Sequence, residues 1–155
     1  MIDSLASMPA RVRDLIEGIC DAELSRKPAA DVFSLRENVL HLRDIDIEGY
    51  EKRVMRILSE EHPFLPDVDG ALLARERDYN TQPIGPALEA LERARAASIA
   101  RLKYADLDRT AELEGVGEIT LRTLLERWLE HDAGHLADIE ALLAGRVGRT
   151  TADAA

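Results

Sequence analysis

Apolar residues recur at intervals of three and four positions in four segments of the chain, which is the spacing of amphipathic helices. The pattern predicts helices over residues 7–20, 34–60, 85–104 and 121–143. In the first helix, Pro9 should lie in the opening turn, where its missing N–H is harmless. Helices of these lengths predict an all-α fold, with a single domain over residues 1–145.

Capping residues support these boundaries. Ser34 and Glu37 form a capping-box pattern at the start of the second predicted helix. Thr120 can cap the start of the fourth, and Gly145 is placed to end it. The small, polar segment 146–155 is therefore expected to be a disordered tail.

Two connections lack helical periodicity. Residues 61–82 are interrupted by prolines and a glycine, and the connection is long for a compact domain. It could cross the bundle from end to end, which would let the second and third helices run parallel, or it could lie over one end as a lid. Residues 105–119, with Gly115 and Gly117, are expected to form an irregular link.

Composition and charge narrow the function classes. The net charge of −10 argues against binding to nucleic acid or to an anionic membrane surface. A single cysteine, Cys20, excludes an internal disulfide and suits a reducing compartment. The chain lacks a signal-like start and has no apolar run of about 18 residues, so we expect a cytoplasmic protein.

The fourth predicted helix has the clearest candidate chemistry. His131 and His135 are four residues apart, so their imidazoles share one helix face, and this face is the apolar one. Such a pair can hold one divalent metal ion. Alternatively, both could be core histidines satisfied by ordinary hydrogen bonds. His41 is the natural third ligand because it is the other helical histidine, whereas His62 is expected at the surface.

Three carboxylates could support such a site. Asp138 lies one turn beyond His135 and could hydrogen-bond a ligating imidazole. Glu48 lies two turns beyond His41 and could act as a general base or fourth ligand, and Asp44 is a further candidate proton acceptor. For Asp138 and Glu48, a solvated helix carboxylate is the alternative interpretation.

Several motifs, in this order, resemble the DinB/YfiT-like superfamily, whose members are regarded as metalloenzymes. The resemblance covers roughly residues 5–143. It rests on residues 24–28, on Phe33-Ser-Leu-Arg-Glu-Asn-Val-Leu-His41-Leu, on Arg75-Glu-Arg-Asp-Tyr79, on residues 117–122 and on Glu130-His-Asp-Ala-Gly-His135-Leu-Ala-Asp-Ile139. The chain departs from the family at Phe33, where Trp is frequent, and at Asp138, where Gln is common.

The resemblance implies a four-helix bundle with a long crossover between helices 2 and 3. It implies a three-histidine metal site, which maps onto His41, His131 and His135, and a homodimer. Characterised relatives include thiol-cofactor-dependent S-transferases and a maleylpyruvate isomerase. Neither departure from the family pattern removes a ligand.

Two functions remain open from the sequence. In a metal-dependent enzyme, three imidazoles would leave an open position on the ion, which could activate water for hydrolysis or a low-molecular-weight thiol for S-transfer to a small-molecule substrate. Zinc or nickel is the expected ion, with iron, copper or manganese as alternatives. The other hypothesis is a non-catalytic metal-binding bundle with a stress-response or interaction role, which would have a closed site.

Overall fold

The computed structural model describes residues 1–153, with side chains described to residue 145, as seven α-helices and three short strands. The helices are α1 (Ile2–Ile16), α2 (Asp21–Leu24), α3 (Leu35–Asp44), α4 (Lys52–Ser59), α5 (Gly70–Glu76), α6 (Ile84–Leu102) and α7 (Leu121–Asp153). The strands are β1 (Phe64–Leu65), β2 (Thr110–Leu113) and β3 (Gly117–Thr120). Within the described residues, no helix combines the length and the hydropathy needed to cross a bilayer.

The predicted four-helix bundle is confirmed. Its members are α1, the continuous helix from α3 through α4, α6 and α7, which pack against one another. Asp46 contacts Arg95, and Glu51, five residues later, contacts Arg101, six residues after Arg95. Because both pairs advance in the same direction along the chain, the second and third bundle helices run parallel, which requires the crossover between them.

The second bundle helix is not a regular α-helix along its whole length. Between α3 and α4, residues Ile45–Glu51 form a π-helical segment, in which the backbone bonds reach one residue further along the chain. The capping box predicted for its start is present, since Ser34 and Glu37 each bond the other's backbone N–H. The apolar spacing did not reveal this segment, because seven residues are too few to interrupt a periodicity that is read over about 11–18 residues.

Pro9 is in the middle of α1, so its predicted place in the first turn is wrong. Proline has no N–H, and in a regular helix this would leave the carbonyl four residues earlier without its partner. That carbonyl belongs to Leu5, and the guanidinium of Arg95 donates to it at 2.7 Å. The hydrogen bond lost at Pro9 is therefore replaced by a contact from another helix.

The predicted irregular link contains a small sheet instead. β2 and β3 pair as an antiparallel hairpin, and β1 from the crossover adds a parallel strand to β2. Gly115 and Gly117 have φ values of +74° and +102°, a conformation that suits glycine and makes the tight turn between β2 and β3. The sheet packs its buried residues against the core at one end of the bundle.

The predicted end of the last helix at Gly145 is wrong, because α7 continues to Asp153. A glycine ends a helix when it adopts a left-handed conformation, and Gly145 has no positive φ. The tail predicted for residues 146–155 thus overlaps α7, and residues 154 and 155 lie outside the described residues.

The core has two apolar clusters, one at each end of the bundle. On α7, Leu121 and Trp128 belong to the first cluster, and Leu136 and Ile139 belong to the second. Between them lies a layer of polar side chains that we call the polar layer: His41, Asp46, Arg95, His131, Asp132 and His135. The three candidate metal ligands therefore lie in the middle of the bundle.

Candidate metal centre

The three candidate ligands lie together in the polar layer. One nitrogen from each of His41, His131 and His135 lies within 4.8 Å of the other two. The Nε2 atoms of His41 and His131 are 3.2 Å apart. Two nitrogens on a tetrahedral zinc ion, each about 2.0–2.1 Å from the metal, would be about 3.3 Å apart. The spacing of the imidazoles therefore fits a shared metal ion.

The orientation of His135 is fixed by Asn38. The side-chain N–H of Asn38 donates to the carbonyl of Ser34 at 2.9 Å, so its oxygen faces His135. This oxygen is 2.8 Å from Nδ1 of His135 and can only accept, so Nδ1 carries the proton. The lone pair of Nε2 is then free for a metal, which is the usual arrangement of an orienting group behind a ligating histidine.

The sequence pattern makes Asp138 a candidate for this supporting role. Asp138 is exposed, and among the described residues no hydrogen bond joins it to His135. Asn38 was missed, although one signal was available. Asn38 lies three residues before His41 on the same helix, so both can face the same site.

Burial favours the neutral form of His41 and His135. It lowers the pKa of His41 to about 3, with a further lowering from the charges of His135 and His131. It also lowers the pKa of His135 to about 4, together with the charge of His131. Neutral imidazole is the form that binds metals, so both side chains are in the ligand form at neutral pH.

The crossover covers His41 directly. A Cβ atom added to Gly70 would lie 2.4 Å from Cε1 and 2.9 Å from Nδ1 of His41, so only glycine fits here. On another side, the ring of Phe33 lies 5.4 Å from the imidazole, centroid to centroid. This part of the crossover therefore packs over the candidate centre in the middle of the bundle, and its action as a lid stays a prediction.

A buried ion network lies next to the three histidines. The guanidinium of Arg95 donates to both oxygens of Asp46, at 2.8 and 2.9 Å, and to both oxygens of Asp132, at 2.8 and 3.1 Å. Trp128 donates its Nε1–H to Asp46 at 3.0 Å, and its ring lies under the Arg95 guanidinium. Arg95 is 1% exposed, so this network is part of the core.

Sequence reasoning missed this network because its members resemble ordinary surface charges. One signal could have found it. Arg95 falls in the same three- and four-residue spacing as buried residues of α6 that include Leu88, Leu91, Ser98 and Leu102. A charge at such a position is buried and needs partners of opposite charge.

Glu48 is paired with two cations. Its oxygens accept from Lys52 at 2.5 Å and from Arg77 at 3.0 Å, and these hydrogen bonds lower its pKa. Asp44 is similarly engaged by Arg43, Arg77 and the hydroxyl of Tyr79. Within the described residues, the group that could hold a metal consists of the three histidines alone. A proton-accepting role for Glu48 stays a prediction.

His62 lies outside the centre, as expected. Its side chain is 44% exposed, and its Nδ1 lies 2.9 Å from the hydroxyl of Thr110 at the edge of the sheet. His62 is therefore a matched control for experiments on the three buried histidines.

Two cavities flank the centre. One of about 370 Å³ has His41 and His131 in its wall, together with Tyr50, Arg53 and Arg127. The other, of about 720 Å³, is mostly apolar and is lined by residues that include Phe33, Asn38, Ala71, Asp138 and Leu142. Gly70 lines the first cavity and Ala71 lines the second, so the start of α5 lies between them.

Burial raises the pKa of Tyr50 to about 12, although the charges of Arg53 and Arg127 act to lower it. The Tyr50 hydroxyl is therefore a hydrogen-bond donor at neutral pH. Its ring stacks on Trp128 at 4.6 Å and lies 6.0 Å from the ring of His131. Tyr50 thus connects the smaller cavity to the polar layer.

Several known proteins resemble this chain over most of its length. A relative from Oceanobacillus iheyensis, named "Putative metal-dependent hydrolase", is 27% identical over 141 residues, covering 89% of this chain and 80% of the relative. A second protein from the same organism, also named as a metal-dependent hydrolase, is 24% identical over 144 residues, covering 91% of this chain and 83% of the relative. The protein YuaE from Bacillus subtilis is 23% identical over 144 residues, covering 82% of this chain and 87% of YuaE.

The same fold is found in a solved structure. YfiT from Bacillus subtilis, described as a probable metal-dependent hydrolase with an unusual four-helix bundle topology, superposes with a TM-score of 0.85. The two chains are 24% identical, and the match covers 95% of this chain and 85% of YfiT. The sequence profile of the DinB superfamily matches residues 4–139. The chain belongs to the DinB superfamily.

Proposed function

We propose that this protein is a metal-dependent hydrolase of a small-molecule substrate, with one divalent ion held by His41, His131 and His135. The observation that supports this most directly is the convergence of three imidazole nitrogens within 4.8 Å. The hydrogen bond from His135 to Asn38 leaves the ligating lone pair of that imidazole free. The names of the relatives from Oceanobacillus iheyensis agree with this activity.

An open coordination position favours catalysis over a structural role. Three protein ligands leave at least one position on a zinc-type ion, and structural zinc sites usually have four. The cavity of about 370 Å³, with His41 and His131 in its wall, gives a small molecule access to that position. A bound ion would lower the pKa of a water molecule to about 7, or stabilise a thiolate. The non-catalytic alternative predicts a closed site and is less well supported.

A second candidate is S-transfer with a low-molecular-weight thiol. The observation in its favour is the presence of two cavities at the centre, since this reaction must hold two molecules at once. The larger cavity, of about 720 Å³, has room for a cofactor of that kind beside the smaller one. The characterised S-transferases implied by the family resemblance support the same reaction.

The metal site is tested by elemental analysis of protein purified without a histidine tag. We expect about one divalent ion per chain, with zinc or nickel first and iron, copper or manganese as alternatives. The His131→Ala variant should lose the ion, whereas the His62→Ala variant should keep it. Equal metal content in both variants would mean that the ligand assignment is wrong.

The reaction is tested on the metal-loaded protein. Small esters and amides would report hydrolysis, and electrophiles supplied with glutathione, bacillithiol or mycothiol would report S-transfer. Product that forms only when a thiol is present would identify the second candidate.

The homodimer stays a prediction, which light scattering on the purified protein would check.

A further inference from the structure

The smaller cavity beside the candidate metal centre contains a buried guanidinium with an unused donor. The side chain of Arg53 is 12% exposed and lines this cavity. Its Nη2 donates to the carbonyl of Pro66 at 2.9 Å and lies 3.4 Å from a carboxylate oxygen of Asp67. Its Nε is enclosed and has no hydrogen-bond partner, and among the described residues its Nη1 forms no hydrogen bond either. Because Nε is not accessible from the cavity, Nη1 is the donor that remains for an acceptor there.

A second cation and a neutral donor belong to the same cavity. Arg127 lines it from α7, one turn before His131, and among the described residues it forms no ion pair. The guanidinium of Arg53 lies 5.8 Å from the ring centre of Tyr50. Tyr50, Arg53 and Arg127 all line the cavity that has His131 in its wall.

Two carboxylates also line this cavity, and both are at its exposed rim. Glu114 accepts from the backbone N–H of Asp67, and the side chain of Asp67 is 75% exposed. The two carboxylates balance the two arginines, and the network of Arg95 with Asp46 and Asp132 has one more negative charge than positive. A divalent ion at the histidines would still leave an excess of positive charge, which an anion entering the cavity would balance.

We propose that the substrate carries a carboxylate, which binds in the smaller cavity to Arg53, with Arg127 and the Tyr50 hydroxyl as further donors. This inference rests on the proposed function, because it places the reacting group of the same molecule at the metal. Arginine is suited to this task, since its planar fork matches both oxygens of a carboxylate. A cavity of about 370 Å³ accommodates a small organic acid.

The test compares two metal-binding probes on the zinc-loaded full chain. Acetohydroxamate can bind the ion alone, and succinic monohydroxamate adds a carboxylate on a short chain. Calorimetric titration should show the second probe binding about tenfold more tightly, as expected for one charge-assisted contact. The Arg53→Met variant should lose this gain and keep its affinity for acetohydroxamate.

The matched control is Arg122→Met, on the same helix as Arg127, because Arg122 lies outside the cavity and pairs with Asp108. This variant should keep the full gain. Equal affinity of the two probes for the unaltered protein would overturn the proposal, and so would an equal loss of both probes in Arg53→Met. A chain that does not retain zinc, or a zinc-loaded chain that does not bind acetohydroxamate, would instead refute the proposed function itself.

Discussion

The contact between Gly70 and His41 makes a direct prediction about the Gly70→Ala substitution. An alanine Cβ would lie 2.4 Å from Cε1 of His41, whereas such atoms normally approach to about 3.5 Å, so one of them must move by about 1 Å. Overpacking of this kind costs about 1–3 kcal/mol of unfolding free energy. A displaced imidazole should also weaken zinc binding by about tenfold or more, as for other losses of ligand positioning.

The control is Gly134→Ala, which changes the same residue type between the two histidines of α7. A Cβ atom at Gly134 would meet no atom within 4 Å, so the only effect should be the higher helix propensity of alanine. We expect a gain of about 0.5–1 kcal/mol. Urea unfolding and competition with a zinc-binding dye measure the two quantities. A Gly70→Ala variant that is as stable as Gly134→Ala and binds zinc equally well would refute the reasoning.

Three further predictions concern the same layer of the bundle. The Asn38→Ala variant should bind zinc about 10- to 100-fold more weakly in a dye competition, because it removes the orienting acceptor of His135, whereas Asn38→Asp should retain most of the affinity. The Arg95→Met variant leaves two aspartates unpaired in the core and should lose about 3–5 kcal/mol in urea unfolding, and a loss below about 1 kcal/mol would contradict the role of the network. In metal-free protein, the pKa of His41 is about 3 and that of His135 about 4, against about 6.5 when unfolded. The unfolded chain therefore binds protons first, so stability should fall from pH 6.5 to about pH 4, by up to about 1.4 kcal/mol per pH unit for each histidine. A His135→Asn variant with the same slope would contradict this origin.

The helices were predictable because apolar spacing reports directly on which face is buried. The pair His131 and His135 was predictable for the same reason, since both lie on the face that the stripe marks. His41 lies on another helix, and its place was inferred from the small number of helical histidines and from the family resemblance. The structure brings it within reach of the other two.

Two of the features that were missed depend on contacts between distant segments. The acceptor role of Asn38 requires His135, which is 97 residues away, and no local pattern relates the two. The sequence predicted Pro9 at a helix start, where its missing N–H has no cost. In the interior of α1 the donor that replaces this N–H comes from Arg95, which lies on another helix. For Asn38 and Pro9 the decisive partner comes from elsewhere in the fold. The hairpin of β2 and β3 is local, but its strands have four residues each, which is too short for an alternating pattern to stand out.

The side chain of Arg95 has a consequence for how the bundle is assembled. It lies on α6 and contacts the other three bundle helices through Leu5, Asp46 and Asp132. Sliding the second bundle helix or α7 by one turn, about 5.4 Å, would leave a buried aspartate without its partner, and sliding α1 would leave the carbonyl of Leu5 without its donor. Asp46 lies close to His41 in the chain, and Asp132 adjoins His131. The contacts of Arg95 therefore also fix the positions of His41 and His131 relative to each other along the bundle axis. The protein itself therefore preorganises the centre, and an ion that enters need not align the helices.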